Sequence, residues 1–353
     1  MYSTREIIEK LVPIMSVSGH EERGGDELKR VYSEPFDEYV LHSSGTHIFI
    51  KRCKKKNAPR LMIDAHFDEI GMIVTGIHEG GFLSVANIGG LDRRILPAAE
   101  VLIYGKETIY GVIVSIPPHL QAAGDSKKTP KIDQLRIDTG YTKEKLEQIV
   151  EIGTPIGFYE KPAMLGETRI ASRSLDNKAC GAAAYLAAAS LEASEMEADL
   201  YVTLSAREEA TMADGAQSSA YAIRPDLAIV TDVTFATTPG VKSEESGKFG
   251  GGPVISLSAV TDRPFTDAII NICKEADIPY GITVDATDTG TNATMLSLVG
   301  DGIGVAVVSV PIGSMHTYNE TAELSDIEST AALFAKVLKN KEIFEKGDER
   351  YVR

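Results

Sequence analysis

The chain has 353 residues, of which 43% are hydrophobic, so it is long enough for two domains with a substantial core. Its 36 basic and 51 acidic residues give a formal net charge of -15, which argues against nucleic acid or an anionic membrane as a partner. The three cysteines are too few and too scattered for a disulfide framework or a thiolate metal site. Charged residues interrupt the apolar amino terminus, and no stretch resembles a membrane span. We therefore expect a cytoplasmic protein.

The amino-terminal segment predicts two amphipathic helices followed by two strands. The helices cover residues 4–15 and 23–32 and are joined by the turn-like sequence SVSGHEE. The strands cover His47–Lys51 and Leu61–Ala65. The sequence KRCKKK lies between these strands without interleaved aromatic residues for base stacking, which indicates a charged connection rather than a nucleic-acid site.

A different pattern begins after Gly71. Residues 72–167 contain alternating apolar runs that are broken by turn signals such as Glu79-Gly80-Gly81. This spacing predicts a small β-barrel or sandwich inserted into a larger domain, which would then comprise residues 1–71 and 168–353. Within the insert, residues 120–135 are polar and lack periodicity, so they predict a mobile surface loop.

Alternating helices and strands return after the insert. An alanine-rich helix is predicted over Ala179–Ser194, where small side chains favour close packing against a sheet. The following strands are predicted at Tyr201–Ser205, Leu227–Thr231, Val254–Leu257 and Val305–Val310, with helices near 215–223, 265–276, 291–299 and 321–338. This alternation predicts an α/β fold in which a mostly parallel sheet is sandwiched by helices.

Side chains that can bind metal ions lie just beyond several predicted strands or at a helix start. The carboxyl ends of parallel strands meet at one edge of a sheet, which is where such folds usually place their chemistry. Each residue has a simpler explanation when it is taken alone, such as an N-cap for Asp176 or a solvated turn for Glu208-Glu209. The candidates considered together are His66, Asp68, Asp176, Glu208, Glu209, Asp232 and His316.

The candidate set combines imidazole nitrogens with carboxylate oxygens. This mixture suits zinc, cobalt or manganese better than it suits a cysteine-rich structural zinc site. Two histidines and three carboxylates are enough for two cations that share one bridging carboxylate. Of two adjacent glutamates, one can bind a cation while the other transfers a proton.

Several longer motifs occur in a specific order along the chain: SVSGHEE, AHFDEIGMIVTGI, GGLDRRILPA, VIVSIPPHL, SLDNKACGAA, SAREEA, GGGPVI, GTNA and VPIGSMHT. On these motifs the chain resembles the M42 family of dinuclear metalloaminopeptidases, which includes glutamyl, deblocking and tetrahedral aminopeptidases. The resemblance runs over nearly the whole chain. It implies an aminopeptidase that acts on short peptides through a two-metal-activated water, with two divalent metal ions per subunit, zinc or cobalt first and manganese as another candidate.

The resemblance also implies a role for each candidate residue. His66 and Asp232 would bind one metal ion, Glu209 and His316 would bind the other, and Asp176 would bridge them. Glu208 would be the general base, and Asp68 would support His66. The Asp176–Asn177 peptide would be cis. Residues 72–167 would be a dimerisation domain from which a tetrahedral dodecamer is built.

The chain departs from the family pattern near the candidate site. Ala210-Thr211 replaces the usual Val-Gly, Asn292 replaces an aspartate, and Gly313-Ser314 replaces bulkier residues before the last histidine. These changes affect the expected substrate preference rather than the ligands. Two alternatives therefore stay open, namely an N-acyl amino acid or peptide deacylase of the M20 type and a self-assembling scaffold with weakened catalysis.

Overall fold

A mixed β-sheet with helices on both faces forms the larger part of the computed structural model, which describes residues 1–120, 128–159, 161–210, 213–287 and 289–345. The strands are β1 Glu38–Leu41, β2 His47–Lys51, β3 Arg60–His66, β4 Gly71–Ile77, β5 Phe82–Ile88, β6 Glu100–Tyr104, β7 Thr108–Val114, β8 Arg136–Asp138, β9 Pro155–Phe158, β10 Ala163–Leu165, β11 Arg169–Ser172, β12 Asp199–Ser205, β13 Leu227–Phe235, β14 Val254–Ser258, β15 Gly281–Asp285, β16 Gly304–Gly313 and β17 Glu320–Glu323. The α-helices are α1 Thr4–Leu11, α2 Gly25–Tyr32, α3 Lys143–Ile149, α4 Leu175–Ala189, α5 Asp214–Ile223, α6 Arg263–Glu275, α7 Ala293–Ser297, α8 Leu324–Lys339 and α9 Lys341–Glu345.

The strand order of the sheet is β1-β2-β12-β3-β13-β16-β17-β11-β10, with β14 paired to β16 and β15 paired to β14. The central strands β12, β3, β13 and β16 are parallel, whereas the flanking pairs β1–β2, β16–β17 and β10–β11 are antiparallel. The predicted α/β fold is confirmed, but the sheet is more mixed than predicted. Short connections join these flanking strands, and such connections allow only antiparallel pairing.

Alternate side chains of the central strands enter different cores on the two faces of the sheet. On β12, Leu200 and Val202 pack in the core with α1, α4 and α8, whereas Tyr201 packs on the other face with α5 and α7. The alanine-rich helix α4 is almost entirely buried and contacts β13, β3 and α8. Its small side chains allow its backbone to approach the sheet closely, which brings the start of α4 near the ends of the central strands.

The predicted β-rich region contains a closed barrel with the strand order β4-β5-β8-β7-β6-β9. The barrel has a core of its own, which includes Met72, Val101, Ile137 and Ile156. Residues 121–127 of the predicted surface loop lie outside the described residues, and a 3₁₀ turn at Ile132–Gln134 precedes β8.

Five strands of the sheet were not predicted, namely β1, β10, β11, β15 and β17. The helix predicted over 321–338 begins only at Leu324, because Glu320–Glu323 pairs with β11 and buries its backbone in the sheet. Tertiary pairing here overrides local helix propensity. Among the described residues, none of the helices has both the length and the apolar character needed to cross a bilayer.

Candidate metal centre

The candidate site lies at the edge of the sheet where the central parallel strands end. His66 is the last residue of β3 and pairs with Ser205 at the end of β12. Asp232 lies on β13, two residues beyond the last pairing of that strand with β3. The same edge receives the loop after β12, the first turn of α4 and the connection from β16 to β17. One cavity of about 630 Å³ is lined by six of the predicted residues, His66, Asp176, Glu208, Glu209, Asp232 and His316.

Asp176 lies between the two histidines of the cavity. Its Oδ1 is 2.9 Å from Nε2 of His66, and its Oδ2 is 3.5 Å from Nε2 of His316. On one side, Oδ1 of Asp232 is 3.5 Å from Nε2 of His66. On the other, Oε2 of Glu209 is 3.7 Å from Nε2 of His316. The cavity therefore holds two histidine–carboxylate groups joined by one shared carboxylate.

The ring orientation of each histidine leaves its Nε2 directed at the carboxylates. Nδ1 of His66 is 3.0 Å from the backbone oxygen of Asp68, and Nδ1 of His316 is 3.1 Å from the backbone oxygen of Gly90. A carbonyl oxygen only accepts hydrogen bonds, so each Nδ1 carries a proton, and Nε2 is the ring nitrogen placed for a metal ion. Gly90 is required at its position because an added Cβ would lie 2.8 Å from Nδ1 of His316.

Asp68 lies beneath the cavity and holds the loop that carries the two glutamates. Its Oδ1 accepts the N–H of Glu208 at 3.1 Å and its Oδ2 accepts the N–H of Glu209 at 3.0 Å. Its carboxylate is 3.6 Å from Nδ1 of His66, farther than its own backbone oxygen. The backbone of Asp68 thus contacts His66, while its side chain contacts the glutamate loop, a contact that the sequence did not indicate.

Burial and neighbouring carboxylates raise the pKa of Glu208, Glu209 and Asp232, whereas for Asp176 burial is outweighed by the hydrogen bonds with His316 and His66, which lower the pKa. Burial, with Asp232 and Asp68 nearby, raises the pKa of Glu208 to about 8. Burial and Asp176 raise the pKa of Glu209 well above its usual range. Burial opposes the charged form of His66, but Asp232 and Asp176 outweigh it, so the pKa of His66 is raised. This concentration of buried negative charge and mixed nitrogen and oxygen donors fits divalent cations such as zinc, cobalt or manganese. The peptide between Asp176 and Asn177 is cis, as the resemblance implies.

Two buried glutamates that sequence reasoning missed also hold the loops of the site. Glu21 accepts the N–H groups of Gly19 and Arg207, both at 2.9 Å, and so fixes the start of the glutamate loop. Glu320 accepts the N–H groups of Asp176 and His316, both at 2.9 Å. Glu21 stood in a sequence interpreted only as a turn, and Glu320 lay just before a predicted helix. Their contacts depend on tertiary structure, so no local sequence signal identified them.

Comparison with known proteins gives the family. Residues 45–333 match the family described as M42 glutamyl aminopeptidase. The chain belongs to the M42 peptidase family. It is 32% identical to a lysyl aminopeptidase of Pyrococcus furiosus over 94% of this chain and 96% of that protein. The predicted membership of this family and the predicted class of enzyme, a peptide hydrolase, are confirmed.

Solved structures of related aminopeptidases have the same fold. An aminopeptidase from Desulfurococcus kamchatkensis superposes with a TM-score of 0.89 at 28% identity, covering 99% of each chain. The TET1 peptidase of Pyrococcus horikoshii superposes with a TM-score of 0.84 at 29% identity, covering 95% of this chain and 99% of that one, and it is described as assembling into a tetrahedron or a large octahedral shell. M42 peptidases depend on metal ions, and these neighbours include assembled oligomers.

Asn292 is one of the residues at which this M42 peptidase departs from the family pattern, and its side chain points away from the cavity. The side-chain amide of Asn292 donates to Oδ2 of Asp64 at 2.9 Å and to Oγ of Ser205 at 3.1 Å, and Asn292 is only 2% exposed. Its neighbour Thr291 lines the cavity instead. Asn292 does not line the cavity, so the structure shows no direct contact through which it would affect substrate preference. Thr211 of the departure at Ala210-Thr211 lies outside the described residues, and Ser314 adopts a positive φ of 57°.

We expect Asn292→Asp to destabilise the protein in a pH-dependent way. Burial already raises the pKa of Asp64 to about 6, and a second carboxylate at 2.9 Å raises the pKa of the pair further. A raised folded-state pKa gives a penalty that grows as the pH rises from the unfolded value of about 4 through the folded value. The thermal midpoint of the variant should fall more at pH 8 than at pH 5. Asn57→Asp, in an exposed turn, is the control, and equal shifts for the two variants would refute this explanation.

Proposed function

We propose that this M42 peptidase is a metal-dependent aminopeptidase that removes N-terminal residues from short peptides and works in the cytoplasm. The observation that supports the proposal is the position of Asp176, whose two oxygens face different histidines. In this proposal His66 and Asp232 bind one divalent ion, and Glu209 and His316 bind a second. Asp176 contributes to both, with distances of 2.9 Å and 3.5 Å to the histidines. Zinc and cobalt suit the donors first, and manganese is a further candidate.

Glu208 is the proposed general base. When bound, two divalent ions make water more acidic and polarise the scissile carbonyl. The side chain of Glu208 lines the cavity, and its backbone N–H is fixed by Asp68 at 3.1 Å. Its carboxylate takes the proton of the attacking water and later delivers it to the leaving amine. Asp68 accepts hydrogen bonds from the backbone N–H groups of Glu208 and Glu209 and so fixes the position of one glutamate relative to the other. This is its proposed contribution to catalysis.

The uncharged part of the cavity is the proposed place for the N-terminal side chain of the substrate. Thr294, Met295 and Met315 line the same cavity as the six polar residues. Methionine side chains are flexible and adapt to different apolar groups. A free α-amine near the metal ligands would explain removal of single residues from a peptide end.

We also propose that residues 72–167 form a dimerisation domain inserted into a catalytic domain of residues 1–71 and 168–353. The closed barrel of β4–β9 with its separate core supports an inserted domain, while β10, near the end of this range, pairs with β11 in the larger sheet. The tetrahedral and octahedral assemblies described for the TET1 peptidase support self-association, and we propose a tetrahedral dodecamer built from dimers. Tyr110 and Tyr159 form an edge-to-face pair on the barrel surface, with ring centroids 5.5 Å apart, and they could contribute to such an interface.

The proposal predicts metal-dependent cleavage of substrates with a free amine only. Protein stripped of metal with a chelator would be reloaded with zinc, cobalt or manganese and tested on aminoacyl-p-nitroanilides and their N-acetylated forms. We expect release from the free forms only after reloading, with stripped protein as the control. Release of acetate from the acetylated forms, with the free aminoacyl-p-nitroanilide left as the product, would instead indicate a deacylase of the M20 type. Full-size particles without turnover in any metal would indicate a scaffold.

A further inference from the structure

Glu320 is a buried carboxylate that contacts two different loops of the metal centre. It is the first residue of β17 and is 1% exposed. Its Oε2 accepts the N–H of Asp176 at 2.9 Å, and its Oε1 accepts the N–H of His316 at 2.9 Å. Asp176 lies in the first turn of α4, 144 residues away along the chain, whereas His316 is four residues away. One side chain therefore connects the start of α4 with the β16–β17 connection.

The two loops need such a connection because neither has a regular backbone at these residues. His316 has a φ of 60°, a left-handed conformation that is unfavourable for a residue with a side chain. Asp176 has a ψ of 102°, outside the helical range, within the first turn of α4. Without Glu320, both N–H groups would lose their buried hydrogen-bond acceptor, which disfavours the observed backbone.

Glu320 is not among the residues that line the cavity, so it acts on the site through the residues it holds. The separation between the carboxylate of Asp176 and Nε2 of His316 is 3.5 Å, and the position of both backbones sets that separation. Strand β17 is itself anchored, because Glu320 pairs with Ser172 of β11, shortly before Asp176. A rigid strand thus carries the carboxylate that both loops use.

We propose that Glu320 is a positioning residue that sets the distance between Asp176 and His316 and so the affinity of the site for its second metal ion. The inference rests on the proposed function, in which these two residues bind that ion together with Glu209. Both oxygens of Glu320 accept hydrogen bonds from N–H groups, so only a carboxylate satisfies both loops. A glutamine has one oxygen, and its NH2 group would face the remaining N–H.

The test compares Glu320→Gln with wild type and with Glu323→Gln. Glu323 lies on the same strand and is also buried, but its carboxylate pairs with Arg169 at 3.1 Å. Cobalt and zinc would be titrated into stripped protein by calorimetry, and the visible absorption of cobalt would report the coordination of each ion. We expect Glu320→Gln to weaken the second ion about 10- to 100-fold and to change its cobalt spectrum. Glu323→Gln should leave both the metal affinity and the cobalt spectrum at their wild-type values.

Kinetics separate a positioning role from a general loss of structure. At saturating metal, kcat of Glu320→Gln should fall while KM changes little, because the reacting groups are displaced and the substrate pocket is not. Circular dichroism would show that the variant is folded. If it does not fold, Glu320→Asp keeps both acceptors on a shorter side chain and should give an intermediate loss of metal affinity. A folded variant with the affinity and cobalt spectrum of wild type would overturn the inference, whereas wild type without metal binding or turnover would instead overturn the proposed function.

Discussion

Glu208→Gln should lower kcat by about 10²- to 10⁴-fold, the range typical for loss of a general base. Glutamine has nearly the same shape but cannot take up the proton of the attacking water. The loop should keep its position, because Asp68 binds the backbone N–H of residue 208 and not its side chain. Because Glu208 is proposed not to bind metal, the variant should still bind two ions. Measurements of kcat and KM on the best p-nitroanilide substrate, together with metal content, would check this result.

Glu22→Gln provides the matched control for Glu208→Gln. Glu22 is exposed and lies outside the cavity, so the same chemical change there should leave kcat unchanged. A Glu208→Gln enzyme that keeps more than a tenth of wild-type kcat would remove Glu208 from the role of base. Loss of metal along with activity would show instead that Glu208 is a ligand.

Glu69→Gln should lower the free energy of unfolding by about 3–5 kcal/mol, the cost typical of breaking a buried ion pair. Glu69 is 3% exposed and pairs with the guanidinium of Arg173, which also donates to the backbone oxygen of Val12 at 2.7 Å. The ammonium of Lys178 is 3.9 Å from the other oxygen of Glu69. Burial lowers the pKa of Lys178 to about 7, so lysine can lose its charge, but arginine cannot. The variant would therefore leave the Arg173 charge buried without a counter-ion.

Unfolding by urea, followed by circular dichroism on stripped protein, would measure this loss without a contribution from bound metal. Glu79→Gln is the control, because Glu79 also pairs with a basic residue, Lys143 at 2.8 Å, but its side chain is 84% exposed. An exposed pair contributes about 0–1 kcal/mol. If the two variants unfold at the same urea concentration, the buried pair does not stabilise the protein.

The positions of the candidate ligands could be predicted because strand ends are visible in the sequence. The apolar run before His66 and the run before Glu208 each end in polar residues, and parallel strands bring such ends together. The bridging position of Asp176 came only from the resemblance, because its location at a helix start is equally typical of an N-cap. The contacts of Glu320 could not be predicted, since they depend on how β17 pairs with β11 and not on any local pattern.

The strands of the sheet could also be predicted only in part from the sequence. Residues 227–231 and 305–310 were correctly predicted as strands, because long apolar runs with β-branched residues are a strong signal. Their direction relative to the outer strands was not visible. β1 has an exposed edge and β17 has four residues with two glutamates, so neither carries the periodicity of a buried strand. Their pairing is determined by short connections and by neighbours distant in sequence.

The position of the barrel within the chain also has a consequence for biosynthesis. On the ribosome, β4–β9 emerge as one block and can close on themselves, while β3 has been made but both of its sheet neighbours, β12 and β13, have not. At about 5–20 residues per second, roughly 7–27 s pass between completion of β3 at His66 and the start of β12 at Asp199. During that interval the apolar side chains of β3 have no partner strand. The nascent chain would therefore carry a finished barrel beside an unpaired strand, the state in which binding by a chaperone would matter most.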